Sequence, residues 1–303
     1  MMKISFLITS LLIISSSLFS QTTYNGVIID KNTNRKVPFA NVYLSNKAVG
    51  TYSNNQGVFS LEATSGDTII ISVIGYEKRC IPVQELECLN REIYITPKHY
   101  NLDEITIHAD KKTRRNKILL GNSQLKKATT LLAHSGAEYA VYIPNDLKTE
   151  ALISEVVLNL KSRGRETPVF RIHLYAVDKE TKQPGDDLLN QDLTGMITKS
   201  RNIKKFDLQK YNIVLPKDGV FVGVEWIGKL TKNDIFIDEV NDIKLAVPIS
   251  FEKEQSNTFY RSAYYTNRWN QTTRSHSLSL IEEKDNPPNV AFGLKVITYA
   301  NKK

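Results

Sequence analysis

The chain has 303 residues, of which 41% are hydrophobic and 24% charged, and its formal net charge is +8 at pH 7. This length allows one large domain or two modest ones, and the composition excludes a chain that is disordered throughout. The dense basic cluster at residues 111–117 contains no aromatic side chain that could stack on bases. A soluble basic surface therefore explains the charge better than nucleic-acid binding does.

Residues 1–20 have the pattern of a secretory signal peptide. A basic start at Lys3 precedes an apolar run, Ile4–Ile14, and small serine residues follow it. The apolar run is too short to span a bilayer comfortably, and no later stretch reaches that length. We therefore predict an exported protein of the periplasm, outer membrane or cell surface, with no transmembrane segment after signal cleavage.

Residues 21–97 predict seven short strands separated by turns. In the run Phe39–Leu44 the side chains of Ala40, Val42 and Leu44 alternate with the others, which is the period of a half-buried strand. The asparagine- and glycine-rich residues 54–57 predict a hairpin between 50–53 and 58–61. Seven strands in so short a span predict a small β-sandwich.

Four stretches of this region resemble the carboxypeptidase regulatory-like domain. They are GVIID at Gly26–Asp30, PFANVYL at Pro38–Leu44, GTYSNNQGVFSL at Gly50–Leu61 and DTIIISVIGYE at Asp67–Glu77. The resemblance implies a transthyretin-like β-sandwich with an accessory role and no catalytic residues. In Bacteroidetes, domains of this family commonly precede outer-membrane transporters and exported proteins.

Cys80 and Cys88 are the two cysteines of the chain, and both follow the signal peptide. In an oxidising compartment they could form a disulfide, since they lie eight residues apart near two adjacent strands. The alternative is two small apolar residues that fill a core.

Residues 98–135 predict a basic linker with a short helix from Leu125 to Ala133. In transporters that carry the same domain, a segment like LDEITI at 102–107 resembles the TonB box, an extended strand that pairs with a partner protein by strand addition. The alternative is a last strand that leads into the linker. The candidate partner-binding residues are Leu102, Asp103, Glu104 and Ile105. The histidines at 99, 108 and 134 match no metal-ligand spacing.

Residues 136–303 predict a second antiparallel β domain with a jelly-roll-like sandwich fold. The clearest strands are Ile153–Leu160, Val169–Val177 and Gly219–Ile227, and later ones are expected at 258–265, 277–281 and 290–298. In the second of these, Phe170, Ile172 and Leu174 share one face and Arg171, His173 and Tyr175 the other. The region is similar to a jelly-roll-like domain, without an established activity, that occurs beside such regulatory domains. Its shape class overlaps with carbohydrate-binding modules.

The sequence contains no catalytic motif. It lacks G-x-S-x-G and H-E-x-x-H. Glu225 and Asp207 could form the carboxylate pair of a glycosidase, but Glu225 alternates with apolar residues and is better explained as a charge on an exposed face. Asp186 and Asp187 could bind calcium, or could be solvated acids in a turn. We predict no catalytic residue, no metal and no cofactor.

The best candidate for recognition is an aromatic segment near the C-terminus. Tyrosine and tryptophan rings beside arginine suit stacking on sugars or contact with a protein, and the alternative is ordinary packing. Trp226 is expected in the core. The candidate residues are Tyr260, Arg261, Tyr264, Tyr265 and Trp269. We therefore predict a non-catalytic envelope protein that binds a protein partner. A glycan-binding module is the alternative, and a hydrolase has less support.

Overall fold

The computed structural model describes residues 22–98, 113–121, 129–133, 135–147, 149–162, 165–197, 201–238, 245–251, 255–264, 268–273 and 286–301. The signal peptide, the 102–107 segment, Tyr265, the three linker histidines and the strand expected at 277–281 lie outside these ranges. The described chain is almost entirely β-strand, which confirms the predicted fold class. Its helices are short 3-10 turns, and none of those described is long and apolar enough to cross a membrane. The chain divides into two compact units, residues 1–72 with 78–96 and residues 73–77 with 97–303.

Unit 1 is a small sandwich of seven strands, as predicted. The strands are β1 (Thr22–Asp30), β2 (Asn41–Leu44), β3 (Gly50–Tyr52), β4 (Val58–Ala63), β5 (Thr68–Ser72), β6 (Arg79–Pro82) and β7 (Glu92–Ile95). One sheet has the order β4-β1-β7 and the other β3-β2-β5-β6. The alternation predicted for residues 39–44 holds, since Ala40, Val42 and Leu44 are all buried.

The hairpin predicted around residues 54–57 is wrong. β3 pairs with β2 in one sheet, and β4 pairs with β1 in the other, so the chain crosses between the sheets here. Buried Ser53 fixes the crossing, because its Oγ donates to the carbonyl of Val37 at 3.0 Å and accepts from the N–H of Ala40 at 2.9 Å. Asn54 then closes the turn by accepting from the N–H of Val58 at 3.0 Å. Turn residues alone do not determine which strands pair after the turn.

Unit 2 is a larger sandwich of two antiparallel sheets. Its strands are β8 (Thr113–Gly121), β9 (Thr129–Ala133), β10 (Ala137–Ile143), β11 (Ala151–Ser162), β12 (Thr167–Val177), β13 (Pro184–Asp187), β14 (Thr194–Met196), β15 (Arg201–Asp207), β16 (Val220–Leu230), β17 (Phe236–Ile237), β18 (Leu245–Ser250), β19 (Thr258–Ser262), β20 (Asn270–Gln271), β21 (Asn289–Val290) and β22 (Phe292–Asn301). The eight-stranded sheet has the order β13-β12-β16-β10-β19-β20, with β14 on β12 and β17 on β16. The seven-stranded sheet has the order β21-β18-β11-β22-β8, with β15 on β11 and β9 on β18.

The prediction that residues 98–135 form a linker with a short helix is wrong for the part that the structure describes. Residues 113–121 are β8, which pairs with β22, and Thr129–Ala133 is β9, which pairs with β18. The run ILL at 118–120 has no helical period long enough to compete with a ladder of nine residue pairs. Tertiary pairing therefore overrides the weak local preference of this region.

The core of unit 2 lies between the two sheets and follows the two-residue period of their strands. Val156 and Leu158 of β11 pack there against Ile172 and Leu174 of β12 and against Trp226 of β16. Trp226 is buried as predicted, and its Nε1 donates to the carbonyl of Gly228 at 2.6 Å. Because alternate residues point to opposite faces, every inward residue commits its neighbour to the outer face of the same sheet.

Candidate functional site: a buried charged network and a basic edge strand

The outer face of the eight-stranded sheet carries a row of four charged side chains on four adjacent strands. The residues are directly opposite one another in register, in the order Arg171 of β12, Glu225 of β16, Glu138 of β10 and Arg261 of β19. The two carboxylates thus lie side by side in the row with an arginine at each end. Side-by-side carboxylates repel, so cations from the same face must stabilise them.

Glu138 is completely buried and is held by two donors. Its Oε2 accepts from Nε of Arg261 at 2.7 Å, and its Oε1 accepts from the hydroxyl of Tyr175 at 2.6 Å. Arg261 also donates through Nη2 to the Tyr175 oxygen at 3.0 Å. Burial opposes the charge on Arg261, but attraction to Glu138 dominates and raises the pKa of the guanidinium further. Arg261 and Glu138 therefore form a hydrogen-bonded ion pair within the protein.

Arg171 makes the matching contacts at the other end of the row. Its Nη1 donates to Glu225 Oε2 at 2.8 Å, and its Nε and Nη2 donate to the two oxygens of Asp192 at 2.6 and 3.1 Å. The side chains of Arg171 and Glu225 are 3% and 4% exposed, whereas Asp192 is 21% exposed. The guanidinium thus bridges a buried carboxylate and one that reaches solvent.

His173 links the row to a fourth acid, Asp187. Its Nδ1 lies 2.7 Å from Asp187 Oδ2, and its Nε2 lies 3.1 Å from Glu225 Oε2. Burial alone would lower the pKa of the imidazole. The charge of Glu138 and the hydrogen bonds to Asp187 and Glu225 outweigh burial and raise the pKa to about 10. At neutral pH both ring nitrogens therefore carry protons and donate, so His173 cannot act as a general base.

Aromatic rings pack against the charged network. The rings of His173 and Tyr175 stack with centroids 5.1 Å apart, and the Arg261 guanidinium lies 4.3 Å from the ring centroid of Trp269. Gly223 makes room for this stack. A Cβ at that position would lie 3.1 Å from both His173 and Tyr175. With burial as the largest cause, the pKa of the Tyr175 hydroxyl is raised well above its ordinary value, so it remains a neutral donor.

These contacts correct the interpretation of Glu225 as an exposed charge. The two-residue period predicted the right face, since Arg171, His173 and Tyr175 lie together on it, but that face is buried here. Asp207, proposed as its partner carboxylate, is exposed in β15 of the other sheet. The acid beside Glu225 is Glu138, which comes from a strand 87 positions earlier in the numbering.

Asp187, one of the two acids considered for calcium, is held within the protein. Its second oxygen, Oδ1, accepts from the backbone N–H groups of Leu174 and Leu189 at 3.3 and 3.0 Å. Among the residues that the structure describes, no group of three or more histidine, cysteine, aspartate or glutamate side chains is arranged to hold a metal ion.

Two of the aromatic candidates that the structure describes, Tyr264 and Trp269, are buried. Tyr264 is 4% exposed and shares a hydrogen bond of 3.1 Å with Ser135, and Trp269 is 7% exposed. The ring of Tyr260 pairs with that of Tyr139, at 6.5 Å between centroids. Among the candidates that the structure describes, Arg261 and Trp269 are in contact with each other, and they join the buried network. The expectation of exposed rings is therefore wrong for Tyr264 and Trp269.

Cys80 and Cys88 are both exposed and free. They therefore do not fill a core, which was the alternative to a disulfide. Their pairing in an oxidising compartment stays a prediction.

The second feature of the candidate site is β8, at the end of the strand order of the seven-stranded sheet. Ile118 and Leu120 pack against the core, whereas Arg115 and Lys117 are exposed and Leu119 is 41% exposed. Neither β8 nor β22 contains an acidic residue. β8 therefore presents a basic edge with one apolar side chain, and sequence reasoning missed it because the region was interpreted as a linker.

Comparison with known proteins agrees with the fold of unit 1. The family model of the CarboxypepD_reg-like domain matches residues 24–107. This part of the chain is thus similar to the CarboxypepD_reg-like domain. This family consists of non-catalytic β-sandwich domains, as the resemblance implied, and the match covers less than half of the chain.

No curated protein matches the chain. One similar solved structure, titled "Structure of infectious bursal disease virus Gx strain", has 8% sequence identity and covers 95% of this chain and 75% of that chain, with a TM-score of 0.26. A likeness at that TM-score supports no statement about unit 2.

Proposed function

We propose that this chain is a non-catalytic exported envelope protein, in which the CarboxypepD_reg-like domain is an accessory docking module and unit 2 binds a protein partner. The observation that carries the proposal is the basic, partly apolar edge strand β8. A sheet edge with exposed peptide groups is a common place for a protein to add a strand from a partner.

The charged network supports a structural role rather than catalysis. With His173 protonated it contains three cations, Arg171, Arg261 and His173, and each of them contacts at least one carboxylate. A catalytic acid or base must be able to exchange a proton with a substrate at the working pH. Glu138 and Glu225 are instead committed to partners within the sheet, so the network stabilises the sheet that supports the rest of unit 2.

The glycan-binding alternative loses its main support. It depended on exposed aromatic rings, because sugar rings stack on flat apolar surfaces that are open to solvent. Tyr264 and Trp269 are both buried. A protein partner instead fits the exposed apolar side chains of unit 2, which include Leu119, Ile203 and Ile235.

The experiment is site-specific photo-crosslinking of the full chain in the bacterium that exports it. A photoreactive amino acid is placed in turn at Leu119, Ile203 and Ile235, with the exposed turn residue Lys179 as the matched control position. We expect a discrete adduct with another protein from at least one apolar position and none from Lys179.

The purified chain is tested beside it on a broad glycan array and a panel of hydrolase substrates. No adduct from any of the three apolar positions would overturn the proposal. So would glycan binding, or a hydrolase activity that is lost when one acidic residue is replaced.

A further inference from the structure

The length, the charge and the side-chain alternation of edge strand β8 together restrict which partner strand can bind there. Its nine residues pair with β22 along their whole length, from Thr113 opposite Asn301 to Gly121 opposite Gly293. Of the described strands, only β22 pairs with β8. Because the register of β8 with β22 has no shift over nine pairs, its second edge is equally long. A further strand would lie about 4.8 Å from this edge.

The charges of this edge have one sign. The two strands β8 and β22 contain Arg114, Arg115, Lys117 and Lys295 and no acid. Lys295 is neutralised by Glu155 of β11, with Nζ and Oε2 2.6 Å apart. Arg115 lies over the ring of Tyr299 at 5.9 Å, and no acidic residue in the described part of the chain forms an ion pair with it. Arg115 and Lys117 therefore present positive charge on the outer face beside the edge.

Alternation in β8 determines the side-chain pattern of the added strand. Ile118 and Leu120 point to the core, so the partner residues beside them must be apolar to extend that core. Arg115, Lys117 and Leu119 point to the outer face, where cross-strand neighbours of opposite charge are favourable. A second copy of β8 would set basic residues against basic residues, so self-pairing is disfavoured.

We propose that β8 binds an extended segment of a protein partner that alternates acidic with apolar residues and adds to the seven-stranded sheet as a further strand. This inference rests on the proposed function and names the chemistry of the partner. Backbone hydrogen bonds supply the affinity, and Arg115 and Lys117 select the acidic strand.

The test measures fluorescence anisotropy of labelled peptide probes with the full chain lacking its signal peptide. The acidic probe alternates glutamate with valine, the basic probe alternates lysine with valine, and the third is the acidic probe with alternate amides N-methylated so that they cannot donate. We expect the acidic probe to bind and the basic and N-methylated probes to bind at least about tenfold more weakly, because each lacks one of the two required contacts.

The variants Arg115→Glu and Lys117→Glu, combined, test the charge of the edge. We expect them to weaken binding of the acidic probe about tenfold and to strengthen binding of the basic probe. The control combines Lys179→Glu and Lys232→Glu, which make the same change in net charge at exposed turns and should leave both affinities unchanged. Thermal midpoints of both proteins confirm that they are folded.

Three results would overturn the inference. They are equal binding of acidic and basic probes, equal loss in the control variant, or undiminished binding of the N-methylated probe. A photo-adduct from Ile203 or Ile235 together with no binding of the acidic probe would leave the proposed function standing and remove β8 as its site. No adduct and no probe binding would remove both.

Discussion

Replacement of Arg171 is the most direct test of the buried network. In Arg171→Leu, three hydrogen bonds to carboxylates are lost, two to Asp192 and one to Glu225. Asp192 is 21% exposed and regains water, so its share of the cost is small. Glu225 is 4% exposed and lies opposite Glu138, so it keeps a buried charge beside a like charge.

Breaking a buried ion pair from one side costs about 3–5 kcal/mol. Because Asp192 regains water, we expect Arg171→Leu to lower the free energy of unfolding by about 4 kcal/mol, near the middle of that range. Glu225→Gln removes one of the two carboxylate charges that lie side by side, while keeping an acceptor for His173. Added to Arg171→Leu, it should therefore restore at least about 1 kcal/mol of the lost free energy of unfolding. Substitutions at independent sites do not show such a coupling.

The assay is urea unfolding of the full chain followed by tryptophan fluorescence. Both tryptophans of the chain, Trp226 and Trp269, lie in unit 2, and Trp269 contacts the network through Arg261. The control, Arg165→Leu, changes an exposed arginine of the same unit and should stay within about 0.5 kcal/mol of the parent protein. A cost below about 1 kcal/mol for Arg171→Leu, or no rescue by Glu225→Gln, would refute the reasoning.

Three further outcomes follow from the contacts. The pKa of His173 is raised from 6.5 to about 10 in the folded state, so the stabilisation that its charge contributes is complete below pH 6.5 and is lost as the pH rises through 10. The free energy of unfolding should therefore fall between these two pH values, and His173→Gln should reduce this fall. Ser53→Ala leaves the buried carbonyl of Val37 and N–H of Ala40 without their hydroxyl partner and should cost about 2 kcal/mol; calorimetry should register the loss in the transition of unit 1. If Cys80 and Cys88 pair on export, the alkylated protein should migrate differently with and without reductant, and equal migration would exclude the bridge.

Local pattern in the sequence was sufficient for several features of the structure. The seven strands of unit 1, the strands around residues 153–160 and 169–177, and the burial of Trp226 all follow from turn residues and the two-residue period. The pattern failed where pairing decides the outcome. The Asn54–Gly57 turn connects two different sheets, and Thr129–Ala133 becomes a strand because β18 lies beside it.

The candidate site shows the same division. By itself the sequence determined that Arg171, His173 and Tyr175 share one face of a strand, since adjacent side chains on a strand must alternate. Only the tertiary structure decided that this face is buried and charged, because Glu138, Glu225 and Arg261 come from separate strands and meet only when β10, β16 and β19 pair in register. Pairing with β22 in the other sheet likewise made part of the predicted basic linker into the edge strand β8. Strand pairing is non-local, so the neighbours of a charge are set by the register of the sheet and not by its neighbours in the sequence.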